Sequence, residues 1–195
     1  MSIAIDEKDI LVRALPTPNP FALKFVLNQP LKREGKATFY AAAEAEQLPL
    51  VRDLFGVAGV KQVYVFQNTV TITHNGALTD DELSTQVESV LKTRLAVHNP
   101  DFEDVNKPVK AVSANKIHVD PMLNQIEEIL DRTIRPGLQA DGGDIEVVDL
   151  ASNELQIIYQ GAYGGCPSAM MGTLDAIQGI LRQELGNEQL TVSPM

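Results

Sequence analysis

The aperiodic stretch from His98 to Val119 constrains this 195-residue chain more than any other feature. On both sides of it apolar residues recur at strand or helix spacing. Within it the periodicity stops, and Pro100, Pro108, Asn and Asp residues and charges of both signs take over, the profile of an interdomain linker. The length allows two modest domains, and an apolar content of 44% is ordinary for a protein with real cores. The expected fold class is therefore α+β: two small α+β domains, residues 1–98 and 120–195, joined by a flexible linker over 99–119.

Before the break, Pro16-Thr17-Pro18-Asn19-Pro20 reads as a rigid, extended lead-in, because proline neither continues a helix nor donates to a central strand. Strands are expected over 21–28 and, more weakly, 37–41, with a short helix over 48–56 that Gly56 stops. Residues 60–66 and 69–74 alternate and are joined by Gln67-Asn68, a hairpin signal. Thr79-Asp80-Asp81-Glu82 is a capping box, and Leu83, Val87, Val90, Leu91 and Leu95 line one face of the helix it opens. The order places helices on one face of a sheet. Acids and bases here are scattered as solvated charges are, and nothing in this half reads as catalytic.

After the break, Asp120-Pro121 caps and opens a helix whose buried side is Leu123, Ile126, Ile129, Leu130 and Ile134, and Arg135-Pro136-Gly137 is expected to end it. Asp141-Gly142-Gly143-Asp144 reads as a turn into a strand over 145–150. Residues 151–153 reverse the chain into a second strand over 155–159, and 190–192 offer an edge strand. Between the second strand and the last helix lies Gln160-Gly161-Ala162-Tyr163-Gly164-Gly165-Cys166-Pro167-Ser168. Met170, Leu174, Ile177, Leu181 and Leu185 follow at the spacing of one helical face. Cys166, the only cysteine, thus falls at a helix start, where partial positive charge favours the thiolate that binds soft metals or attacks electrophiles. A small residue in a tight turn explains the same position equally well.

Other constellations are weaker. His74, His98 and His118 have no partner at metal-ligand spacing and read as surface or linker histidines. Asp141, Asp144 and Glu146 lack the spacing of a calcium loop and read as part of a glycine turn. Gly161, Gly164 and Gly165 are not followed by the Lys-Ser/Thr of a phosphate loop. Met170 and Met171 read as core. Acidic residues outnumber basic ones 26 to 16, a net charge of -10 that argues against nucleic acid or an anionic membrane as partner. A lone cysteine fits a reducing compartment. With no basic, long-apolar leader in the first residues and no apolar run of spanning length, the expectation is a soluble, cytoplasmic protein.

Residues 122–185 resemble the NifU-like C-terminal domain of the Nfu iron–sulfur carriers. The resemblance rests on Ile134-Arg135-Pro136-Gly137-Leu138-Gln139-Ala140-Asp141-Gly142-Gly143-Asp144, on Gly161-Ala162 and on Gly164-Gly165-Cys166-Pro167-Ser168. The run Pro16-Thr17-Pro18-Asn19-Pro20-Phe21-Ala22-Leu23-Lys24-Phe25 resembles the start of the Nfu N-terminal scaffold domain. This resemblance implies a carrier rather than an enzyme. It implies a Cys-X-X-Cys pair from each of two subunits, a homodimer bridged by an iron–sulfur cluster (4Fe–4S in preference to 2Fe–2S), and handover to acceptor apoproteins alongside iron–sulfur assembly factors. The second cysteine of the pair falls on Cys166, and the first falls on Tyr163.

That departure strikes the site itself. Such a cluster is held by four thiolates, and a dimer of this chain supplies two. A phenol of pKa about 10 is a hard ligand and a poor substitute. The cluster is then bound weakly with outside thiols such as glutathione, or not at all. In the second case the chain is a cluster-free accessory or regulatory protein of the assembly pathway. Tyr163 as an altered residue of this one chain is a further alternative. A thiol oxidoreductase ranks third, since a dithiol mechanism needs a resolving cysteine and the chain has none.

Overall fold

The computed structural model describes residues 7–103, 120–165 and 167–195. They form two α+β units, each with its own core. In the first, β1 (Val12–Pro16), β2 (Ala22–Leu27), β3 (Lys36–Phe39), β4 (Val60–Phe66) and β5 (Thr69–His74) make one antiparallel sheet in the order β1-β2-β5-β4-β3. Helices α1 (Pro49–Phe55) and α2 (Asp80–Leu95) cover one face. Period-2 alternation sends Phe25, Val63, Val65 and Ile72 toward these helices, where they meet Leu50, Leu54, Leu83, Val87 and Leu91, all essentially inaccessible. The capping box forms: Glu82 N–H donates to Thr79 Oγ1 at 3.4 Å and Thr79 N–H to Glu82 Oε2 at 3.0 Å. Gln67 turns the β4–β5 hairpin with φ +52°, a left-handed conformation.

The proline-rich segment is not a lead-in. Residues 12–16 pair antiparallel with β2 as an edge strand, the one place in a sheet where Pro16 lacks no ladder bond. Residues 17–20 are the hairpin turn, fastened by Phe21 N–H donating to Asn19 Oδ1 at 2.9 Å. The start of the aperiodic stretch is fixed to the first core. Phe102 is buried beside Phe39, with ring centroids 6.3 Å apart. Lys32 Nζ donates to Phe102 O at 2.7 Å and lies 4.1 Å from the ring, a cation–π contact. The remainder, 104–119, lies outside the described residues.

The second unit opens with α3 (Pro121–Thr133), capped by Asp120 Oδ1 accepting from Met122 N–H at 2.8 Å. Helix α3 ends just before Arg135-Pro136-Gly137, as expected, but that triplet also begins a short helix, α4 (Arg135–Ala140), because Pro136 near a helix start loses no internal bond. Strands β6 (Gly143–Ala151) and β7 (Glu154–Gly161) pair antiparallel, and β8 (Thr191–Pro194) joins β7 in parallel after α5 (Pro167–Leu185) crosses over. Ile126, Leu130, Ile145, Leu155, Ile157, Ile177 and Leu181 fill this core. Met170 packs partly against it, but Met171 is 69% exposed, since it stands one residue off the buried stripe. Among the described residues no helix is long and apolar enough to cross a membrane.

Two histidines are also not surface residues. His74 is buried edge-on to Phe21, with its Nδ1 accepting from Gly76 N–H at 3.2 Å. His98 Nε2 lies 2.6 Å from Leu31 O and its ring packs edge-on to Phe102. His118 lies outside the described residues.

The outer face of the first sheet packs on the second unit. Thr71, fully buried, donates from Oγ1 to Gly142 O at 2.6 Å, and Thr73 Oγ1 reaches Gly161 O at 3.4 Å. Lys24 Nζ donates to Ala140 O.

Candidate functional site

Two glycine corners build the loop that the sequence singles out. At one, Gly142 with φ +87° carries α4 into β6; at the other, Gly161 with φ +62° turns the end of β7 into the loop. They pack backbone on backbone. Ala162 N–H donates to Gly142 O at 3.1 Å, and a Cβ on Gly161 would lie 2.4 Å from that same oxygen. No side chain fits there, which is why glycine is required at that point. The loop then tightens with Gly164 N–H donating to Gly161 O at 3.0 Å, and Pro167 opens α5.

Tyr163 is part of the core. It is 4% exposed, and its ring sits 6.1 Å from that of Tyr159, close enough to Gly143 that a Cβ there would be 2.6 Å from Cδ2. Its hydroxyl donates to Asp141 Oδ2 at 2.6 Å. Burial, and then the Asp141 carboxylate that accepts this proton, push the phenol well above the ordinary tyrosine range. A phenolate is the form that would bind iron, so these surroundings oppose ligation. Cys166, the other expected ligand, lies outside the described residues, while its neighbours Gly165 and Pro167 are both exposed.

Behind the loop stands a charge network. Asp144 is 1% exposed and accepts from Ile145 N–H at 2.7 Å, from Gln139 Nε2 at 3.1 Å and from Lys36 Nζ at 2.9 Å. Arg135 Nε is 3.4 Å from Asp144 Oδ1, and its other nitrogens pair with Glu127 and Asp131. Burial works against the Arg135 charge, yet Glu127, Asp131 and Asp144 outweigh it and hold the guanidinium firmly protonated. Desolvation pulls Lys36 below the usual lysine range in spite of Asp144. Tyr64 Oη, at the same seam, is pushed far up by burial and the nearby Asp144 carboxylate.

These pairings decide the acidic cluster. Asp141 is engaged by Tyr163, Asp144 by two cations, and Glu146 accepts from Gln160 Nε2 at 3.0 Å. No set of three or more ligating side chains among the described residues could hold a metal ion. Sequence reasoning placed the loop but missed its contact with the first unit. The available signal was the polar set Lys36, Gln62, Tyr64, Thr71 and Thr73 alternating against the apolar face. It reads as a solvated surface unless a partner is known.

Comparison with known proteins bears on the same regions. The family described as NifU-like domain matches residues 126–192, and the scaffold protein Nfu/NifU N-terminal family matches 12–98. NifU-like protein 5, mitochondrial, of Arabidopsis thaliana is 30% identical over 89% of this chain and 64% of its own. The human NFU1 iron-sulfur cluster scaffold homolog, mitochondrial, is 29% identical over 89% of this chain and 67% of its own. The chain thus spans about two thirds of the length of these relatives. A NifU-like protein from Saccharomyces cerevisiae superposes with TM-score 0.41 at 20% identity, covering 47% of this chain and 82% of its own. The expectation of a cytoplasmic protein is overturned by the relatives' names, which are mitochondrial. Composition misled here because an acidic chain with one cysteine suits any reducing compartment.

Proposed function

Because this chain belongs to the Nfu/NifU-like family, we propose that it takes part in iron–sulfur cluster assembly as a scaffold and carrier. The cluster is its cargo. Cys166 is the protein thiolate, and two copies of the chain present one each to a 4Fe–4S cluster. Outside thiols complete the shell, since the cluster takes four ligands and a pair of chains has two cysteines. Handover to an acceptor apoprotein is ligand exchange: an acceptor thiol loses its proton and binds iron as Cys166 leaves and is reprotonated. Iron and sulfide keep their oxidation states, and no turnover is involved.

The match of residues 12–98 and 126–192 to the two scaffold families supports this reading, and the state of Tyr163 shapes its form. Its hydroxyl is committed to Asp141 and its ring to the core, so it supports the loop instead of binding iron. The same observation favours a second reading, in which a chain with one thiol docks assembly factors or acceptors without cargo. Anaerobic reconstitution with iron and sulfide, with and without glutathione, separates the two. The carrier reading expects cluster absorbance and a dimer mass that depend on glutathione and vanish in Cys166→Ser. A well-folded protein that stays colourless with glutathione, while Tyr163→Cys takes up a cluster, supports the accessory reading.

A further inference from the structure

The outer face of the first sheet closes over the loop just described, and it does so incompletely. Lys36 Nζ sits 2.9 Å from Asp144 Oδ2 and 3.0 Å from Ile145 O. Thr71 Oγ1 donates to Gly142 O at 2.6 Å. Tyr64 lies so close over Gly161 that a Cβ there would be 2.9 Å from its ring, and the Gln62 amide would be 3.1 and 3.2 Å from a Cβ on Gly164. These two glycines stand on either side of Tyr163, so the first unit touches the loop both before and after that residue.

At this seam buried side-chain atoms go without partners. Among the described residues, Thr38 Oγ1 and Gln62 Oε1 on the first sheet have none, nor has Gln160 Oε1 on the facing strand β7. Each would regain a hydrogen bond from water on separation. The opposite face of the sheet has no such incentive, since parting it from α1 and α2 would wet Phe25, Val63 and Ile72. A polar, partly satisfied contact between two units that each own a core has the character of a transient interface, not an obligate one.

We propose that the first unit is a releasable cover for residues 140–145 and 161–164 of the second. Closed, it hides the backbone of the two glycine corners; separated, it leaves that backbone free. The purpose given to the cover rests on the carrier reading, while its existence rests on the seam alone.

The test uses the full chain and Thr71→Glu, which sets a carboxylate against the Gly142 carbonyl. In the separated form residue 71 is on the outside of an otherwise unchanged first unit. Nitrogen-15 relaxation should give one common tumbling time for both units of the natural chain. In Thr71→Glu it should give two shorter times, with faster amide exchange at Ala162 and Gly164. Cargo transfer to an apo-acceptor should accelerate in the same variant. Lys24→Glu, on the same face, replaces it if Thr71→Glu does not fold. Units that already tumble independently in the natural chain overturn the proposal, as does separation without faster exchange at those amides or without faster transfer. If neither protein takes up iron and sulfide, the carrier reading fails, and tumbling and exchange still decide the cover.

Discussion

The first sheet buries both of its faces, by opposite chemistry. Toward α1 and α2 it presents Phe25, Val63, Val65 and Ile72, which fit into a closed hydrophobic cluster with no polar atom to satisfy. Toward the second unit it presents Lys36, Thr38, Gln62, Tyr64 and Thr71, which are comparably buried for the most part yet leave Thr38 Oγ1 and Gln62 Oε1 unpartnered among the described residues. An apolar face gains by excluding water and loses steeply when parted. A polar face exchanges water hydrogen bonds for protein ones, gaining about 1 kcal/mol for each bond made and losing about 1–3 for each polar group left over. Burial alone therefore does not say whether a contact is permanent; its chemistry does.

The comparison can be broken at several points. The largest effect is expected from Phe25→Ala, which should cost the first unit about 3–5 kcal/mol in chemical denaturation because its cavity cannot refill. Arg135→Met should follow at about 3 kcal/mol, by taking away the buried cation that Glu127 pairs with and leaving Asp144 to Lys36 alone. Tyr163→Phe removes the hydroxyl from Asp141 and should cost about 1.5–3 kcal/mol, measured in the second unit. Tyr64→Phe should cost less, about 0.5–1.5 kcal/mol, since its hydroxyl lies against Asp144, which keeps other donors. If Tyr64→Phe were instead as costly as Phe25→Ala, the distinction between the two faces would collapse.

A pH titration sharpens the picture within the first unit. Burial lowers the pKa of both His74 and His98 below 6.5 in the fold. The unfolded chain therefore binds more protons in the window from 6.5 down to the folded value, and stability falls as pH drops through that window. His98→Gln should flatten part of this acid loss, as followed by denaturation midpoints between pH 7 and 5.

Much of this was legible in the sequence because local rules and tertiary demands agree. The Thr79 capping box, the hairpin at Gln67 and the α5 stripe through Ile177 and Leu181 to Leu185 all formed where pattern placed them. The failures are of one kind. Val12–Pro16 became a strand because β2 offered it an edge, and Lys32 was buried because Phe102 returned to meet it. Thr71 vanished from solvent because residues 71 positions away cover it. Each depends on a partner remote in sequence, which a window of alternating residues does not contain. The site divides the same way. Gly161 was visible as a turn, but that Gly142 O fills the place of its side chain was not. Tyr163 was visible as a departure from Cys-X-X-Cys, while its tie to Asp141 emerged only when α4 and the loop were brought together.

The central claim is that Tyr163 supports the loop and Cys166 alone binds cargo, and one measurement addresses it directly. Cluster uptake is followed by visible absorbance under anaerobic reconstitution with glutathione, in the natural chain, Tyr163→Phe and Cys166→Ser. The account predicts that Tyr163→Phe loads as the natural chain does and that Cys166→Ser does not load. Loss of uptake in a folded Tyr163→Phe, matching Cys166→Ser, would make the phenol oxygen a ligand and contradict the account.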